Sequence, residues 1–234
     1  LEALTSELEV RPGSDSAITK LAARLFETGE RNQAISVLEH GIAENPEALN
    51  SHLVLAGQYR KVGRFADAVT LLELLVTVRP DVDNVRSALA GTYWSMNNHP
   101  EAIRVANERA ANQPENVDAG LQLVNYLWKA NQQADAIGMC RQLLEANPEN
   151  ERPALWMVRM YEEVGKSELA ISTARKVIEQ FPESSDAQTR LASLLRKFGG
   201  RKEAFSLVES MAEEKPESIH HQLLLVRSYW ESND

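Results

Sequence analysis

The sequence predicts an all-α fold, an α-solenoid of antiparallel helix pairs, and three observations carry that expectation. Prolines recur as Pro12, Pro46, Pro80, Pro114, Pro148, Pro182 and Pro216, each 34 residues after the last. Self-similarity at a fixed period of this size marks a repeat array. Twelve residues before the last six of these prolines stand Ala34, Ala68, Ala102, Ala136, Ala170 and Ala204, a slot so uniformly small that two helices must approach closely there. Seventeen residues before the same prolines stand Gly29, Gly63, Asn97, Asn131, Gly165 and Gly199. Glycine and asparagine tolerate the left-handed backbone that ends a helix, so one helix of every unit stops there.

The elements then follow in order. Residues 1–14 read as the second helix of a preceding unit, 15–48, 49–82, 83–116, 117–150, 151–184 and 185–218 as six complete repeats, and 219–234 as the first helix of a seventh. In each repeat the first helix carries apolar residues at helical spacing: Leu21, Ala22 and Leu25, then Leu55, Ala56 and Tyr59, then Leu89, Ala90 and Tyr93, then Leu123, Val124 and Leu127. Met157, Val158 and Tyr161, and Leu191, Ala192 and Leu195, continue the series. The second helix carries the small alanine followed by Ile35, Val69, Ile103, Ile137, Ile171 or Phe205, and the proline ends it, because proline cannot continue a helix interior and restricts the residue before it. Pro100 and Pro153 lie off the grid, each where a new helix begins and the missing N–H costs nothing.

With this period, small-residue slot and terminal proline, the sequence resembles the tetratricopeptide repeat family over essentially its whole length. The resemblance implies a right-handed superhelix, a single array of six complete repeats plus a half repeat at each end, with the first helices lining a concave groove. The tryptophan usual near the start of the family's first helix is missing; Ile18, His52, Arg86, Gly120, Ala154 and Gln188 stand there. Residues for the family's carboxylate clamp are missing too. Thr19, Leu53, Ser87, Leu121 and Leu155 hold the lysine slot, and Asn125 matches one asparagine position while Leu121 and Trp156 fill its companions.

Composition narrows the function classes. With 43% apolar and 25% charged residues the 234-residue chain buries a large core and is not disordered. Its net charge of -9 is opposite to what a phosphate backbone demands, so nucleic acid is not an expected partner. No apolar run is long enough to insert in a membrane, and no signal-peptide pattern opens the chain. A soluble cytoplasmic or periplasmic region is expected. The start at Leu1 and the end in "SYWESND" read as a piece of a longer protein.

The groove slots lie 30, 27, 23, 20 and 19 residues before each proline. The slot at 20 holds Phe26, Arg60, Trp94, Trp128, Glu162, Arg196 and Trp230, so three of the four tryptophans share it. Either these tryptophans pack on neighbouring first helices, exposing an edge, or they form a stacking surface. All five slots together hold eight basic residues (Arg60, Lys61, Lys129, Arg152, Arg159, Arg196, Lys197, Arg227) against six acidic (Glu27, Asp118, Glu162, Glu163, Asp186, Glu231), a groove of +2 on a chain of -9. The candidate partner-binding residues are Arg60, Lys61, Trp94, Asn125, Trp128, Lys129, Arg159, Arg196, Lys197, Arg227 and Trp230. Tryptophan beside arginine suits an acidic, extended ligand.

No catalytic set emerges. Cys140 shares a slot with Leu38, Leu72, Ala106, Ala174 and Val208 and reads as packing. His40, His52, His99, His220 and His221 fall in different slots, without metal spacing or a triad. No enzyme, cofactor or metal is expected. The function expected is a non-catalytic scaffold binding an extended segment of a protein partner in the groove. The alternative, also drawn from the family resemblance, is the repeat part of a bacterial envelope machine that handles or exports an anionic exopolysaccharide. At the array ends, Leu223, Leu224, Val226 and Tyr229 should leave an apolar face for self-association against the helix around Leu1, Leu4 and Leu8.

Overall fold

The computed structural model describes residues 2–232, and the side chains of residues 2–4, 220, 231 and 232 lie outside the described residues. Among the described residues there are fourteen α-helices and no strand. Seven are first helices: α2 (Asp15–Glu27), α4 (Leu49–Lys61), α6 (Asp83–Ser95), α8 (Val117–Lys129), α10 (Arg152–Glu163), α12 (Ser185–Lys197) and α14 (Ile219–Ser232). The others are α1 (Glu2–Val10), α3 (Arg31–Glu44), α5 (Phe65–Val78), α7 (His99–Asn112), α9 (Gln133–Ala146), α11 (Ser167–Gln180) and α13 (Arg201–Glu214). The chain divides into two compact units, Leu1–Asn131 and Gln132–Asp234.

The punctuation works as local chemistry requires. Asn97 and Asn131 are the non-glycine residues with positive φ among those described, at 61° and 62°, and Gly29, Gly63, Gly165 and Gly199 take the same region. The residue after each of these glycines, and after Asn97, donates its N–H five positions back, as Glu30 does to the Leu25 carbonyl at 2.8 Å and Asn98 to that of Tyr93 at 3.0 Å. This is the bond of a Schellman stop, and it satisfies a carbonyl the helix end would orphan. The second helices α3, α5, α7, α9, α11 and α13 all end two residues before the recurring proline. Pro100 and Pro153 sit in the first turns of α7 and α10. Ser14, Asn116 and Ser184 cap α2, α8 and α12 through their side chains.

In the first unit α2 packs on α3, α4 on α5 and α6 on α7, and α1, α3, α5 and α7 each pack on the first helix that follows. Ala34, Ala68 and Ala102 are buried at these crossings. How close the helices come is measured at Gly41, where an added Cβ would lie 2.4 Å from Ile18 Cδ1. Polar staples join successive repeats. Tyr59 donates to Glu39 Oε1 at 2.6 Å and Tyr93 to Glu73 Oε1 at 2.5 Å, the same bond one period on. Burial first, and the carboxylate beside it second, push both phenols up to about 12.

The second unit repeats the pairing with α9 on α10, α10 on α11, α11 on α12, α12 on α13 and α13 on α14. Val158, Met160, Leu194, Val208 and Met211 form its deepest core. Cys140 is buried on α9, and burial pushes its thiol up to about 12, so it holds its proton and packs as a small apolar side chain. On α14, Leu223, Val226, Tyr229 and Trp230 are exposed, Leu224 is half-buried, and Phe205 meets the Tyr229 ring edge-on at 4.9 Å. Leu1 and the Leu4 side chain, expected to oppose this face, lie outside the described residues. Among the described residues, no helix is long and apolar enough to cross a membrane, and no group of three acidic, histidine or cysteine side chains could hold a metal.

Candidate binding site

In the first unit the face made by α2, α4, α6 and α8 is laced shut. The first helices touch in series, α2 to α4, α4 to α6 and α6 to α8. Asp15 starts the lacing by accepting from the Asn50 and Ser51 backbone N–H groups at 3.1 and 2.8 Å and from the Ser51 hydroxyl at 2.5 Å. Further along, Arg60 crosses from α4 to α6 and donates to Ser95 Oγ at 3.2 Å, its guanidinium passing over Gly91. A Cβ added at 91 would meet that guanidinium at 3.6 Å, an ordinary van der Waals contact.

Trp94 is held by two stacked rings. His99 stacks on it with ring centroids 4.2 Å apart, and Tyr126 from α8 at 4.7 Å with the planes 7° apart. Tyr126 continues into a polar chain that slot-by-slot reading of the sequence did not reveal. Gln122 donates to the Tyr126 hydroxyl at 3.3 Å and to the Ser87 carbonyl at 3.1 Å, and accepts from Arg109 Nη1 at 2.8 Å. Arg109 grips Asp83 through both Nε and Nη2. Its guanidinium is buried on α7, where the equivalent positions in other repeats are Gly41, Leu75, Leu143, Val177 and Met211. Arg109 beside it holds the Asp83 carboxyl below the usual carboxylate range. An arginine in an otherwise small or apolar column was the available signal.

In the second unit the corresponding face is open. Between α10 and α12 lies a cleft of about 520 Å³ lined by Leu155, Trp156 and Arg159 on one side and by Asp186, Arg190 and Ser193 among those on the other. The Arg159 guanidinium stands 5.1 Å from the Trp156 ring centroid and donates to Glu163 at 2.8 Å. Arg190 reaches Glu162 Oε2 at 2.7 Å, while Glu162 Oε1 accepts from Lys197 at 3.0 Å. Trp156, Arg190 and, in the first unit, Gln122 share the slot 26 residues before the proline. That slot lies on the same helical stripe as those at 30, 23 and 19, so spacing alone could have added it to the face.

The candidate residues therefore sort into different settings. Arg60 and Trp94 are half-buried in the lacing, Asn125 and Trp128 are half-buried on α8, and Lys61 and Lys129 are exposed at helix ends. In the second unit Arg159 lines the cleft, Lys197 is bound at its edge, Arg196 is half-buried, and Arg227 and Trp230 are exposed on α14. Of the counted groove charges, Arg159 with Glu163 and Lys197 with Glu162 are paired internally. The side chain of Glu231 lies outside the described residues.

Comparison with known proteins accords with this architecture. The family model of the ChAPs (Chs5p-Arf1p-binding proteins) matches residues 5–177, and a tetratricopeptide repeat model matches residues 157–229. No curated protein matches the chain. Among solved structures it is similar to a thermophilic tetratricopeptide protein of Thermus thermophilus, at 20% identity and TM-score 0.51 over 78% of this chain and 99% of that one. It is similar also to Pseudomonas aeruginosa pilF, at 16% and 0.57 over 93% and 99%. Naa15/Naa10 bound to HypK-THB aligns at 14% and 0.53 over 97% of this chain but 36% of that one. The chain is a tetratricopeptide repeat protein, an all-α solenoid of helix pairs, and through the match over residues 5–177 it belongs to the ChAPs family.

Proposed function

We propose that the protein is a non-catalytic interaction scaffold that binds an extended segment of a partner protein on the face of its first helices, chiefly between α10 and α12. The observation that carries this reading is the open cleft, where Trp156 and Leu155 offer apolar surface beside the guanidinium groups of Arg159 and Arg190. Aromatic and arginine side chains around a concavity are the usual energetic centre of a protein interface. The neighbour with a like fold solved bound to HypK-THB supports a protein as ligand. Lys197, Arg196, Arg227 and Trp230 extend the face within the same unit, and Arg60, Lys61, Trp94, Asn125, Trp128 and Lys129 form the candidate set of the first unit.

A photoreactive side chain placed at Ser193, inside the cleft, should cross-link to a partner in cells. The same group at Glu145, exposed on α9, should not. Equal labelling from both positions would count against the face of the first helices as the binding surface.

A further inference from the structure

The cleft between α10 and α12 contains two arginines that are already paired, and the way they are paired says what the cleft takes. Arg159 bonds Glu163 one turn along the exposed face of its own helix, an arrangement weak enough to exchange with another anion. Arg190 reaches from α12 to Glu162 on α10, whose side chain is only 16% exposed. A carboxylate that enclosed cannot be stripped of its cation without a large penalty. Here it need not be, because Lys197 holds the other oxygen of Glu162 at 3.0 Å. Arg190 alone among the two cations also lines the cleft.

We infer that the cleft binds a carboxylate side chain of an acidic residue in the partner segment. Arg190 turns from Glu162 to join Arg159 on the incoming carboxylate, and Lys197 keeps Glu162 neutralised in its place. Guanidinium groups suit this task because each presents parallel N–H donors to a carboxylate. The residue beside the acid is apolar and lies on Trp156 and Leu155, since about 520 Å³ has room for more than one side chain. Asp186, one turn before Arg190, faces the same space and disfavours a second carboxylate there, so the segment carries a single acid next to an apolar residue rather than an acidic run. This inference rests on the reading of the face as a peptide-binding surface and adds the chemistry of its ligand.

The test uses the whole chain and two pools of immobilised synthetic peptides, random except for a fixed central Glu-Leu in one and Gln-Leu in the other. The wild-type protein should favour the Glu pool by about tenfold. Arg190→Gln should bring that preference below about twofold while capture on the Gln pool stays unchanged. The neighbours of the handover move the preference in opposite directions: Glu162→Gln frees Arg190 and widens it, and Lys197→Met ties Arg190 to Glu162 and narrows it. A purely structural role for these residues would not give opposite signs, and Lys197 is exposed, so its variant folds. Equal capture on the two pools by wild type overturns the inference and leaves the scaffold reading standing. An unchanged preference in Lys197→Met overturns the handover. Capture on neither pool overturns the scaffold reading as well, and quenching of tryptophan fluorescence by polygalacturonate in that case would point to an acidic polysaccharide instead.

Discussion

The helix pair α6 and α8 and the helix pair α10 and α12 are equivalent in sequence, two repeats apart, and treat the space between their helices in opposite ways. Between α6 and α8, Trp94 stacks on Tyr126, Gln122 bonds the Ser87 carbonyl, and Arg109 ties Gln122 to Asp83. Between α10 and α12 a cleft remains, spanned at one side by Arg190 and Lys197 on Glu162. The same backbone plan thus gives one face whose polar groups are consumed by the fold and one whose polar groups stay reachable. A tryptophan beside an arginine on a groove has no fixed meaning until its neighbours across the helix gap are known.

The largest effect should come from breaking the lacing at its buried charge. Arg109→Leu leaves the Asp83 carboxylate without its guanidinium and should destabilise the protein by about 3 kcal/mol in urea unfolding. Adding Asp83→Leu, which gives both positions the residues found in the repeat before, Leu49 and Leu75, should recover most of that loss. A double variant as unstable as the single one would mean that the pair does more than neutralise itself.

Next in size is a contrast of tryptophans. Trp94→Ala removes a ring stacked with two others and should cost about 2 kcal/mol of stability. Trp156→Ala, at the cleft, should cost under about 1 kcal/mol yet weaken capture of partner peptides. If the two exchange roles, the open and closed faces have been assigned the wrong way round.

Alkaline titration separates the units in a different manner. The staple phenols Tyr59 and Tyr93 have an ordinary value of 10.0 and are pushed up to about 12 by burial and then by Glu39 and Glu73. The fold therefore holds their protons more tightly than the unfolded chain does. Their contribution is whole below about pH 10 and is lost as the pH rises toward 12. Fluorescence of a variant retaining only Trp94 should change over that interval. A variant retaining only Trp156 and carrying Cys140→Ala, which removes the buried thiol of that unit pushed up to about 12, should change less, because the position matching Glu39 and Glu73 in the repeat before Tyr161 is Arg141, which offers no carboxylate.

The smallest expected change is in Arg159→Ala. Its partner Glu163 is one turn away on an exposed surface, so stability should stay within about 0.5 kcal/mol of wild type in the same urea assay. A larger loss would place Arg159 in the framework rather than on the binding face.

What the sequence made legible follows the range of the forces concerned. The stops at Gly29, Gly63, Asn97, Gly165 and Gly199 are backbone properties of one residue and its helix, so residue type sufficed to find them. The buried alanines were legible because a crossing repeated six times leaves the same mark six times. That Trp94 packs on a neighbouring first helix was one of two readings its slot allowed; which rings it meets was not legible, since His99 and Tyr126 lie on different helices and break the repeat pattern. Arg190 escaped for another reason: its slot falls between those taken to face the groove, although Trp156 in the repeat before pointed to it.

The buried alanines also set how such a chain can change over generations. A single-base change from alanine to valine at Ala102 or Ala170 would force methyl groups into a helix crossing with no room, at about 1–3 kcal/mol each, so these sites are closed to drift. The outer walls of the α10/α12 cleft carry less constraint, because Ser193 and Arg159 are exposed and line a space rather than fill one, while Leu155 packs on the core behind them. A lineage could trade one partner for another by rewriting those few side chains while the spacing of its helices is inherited intact.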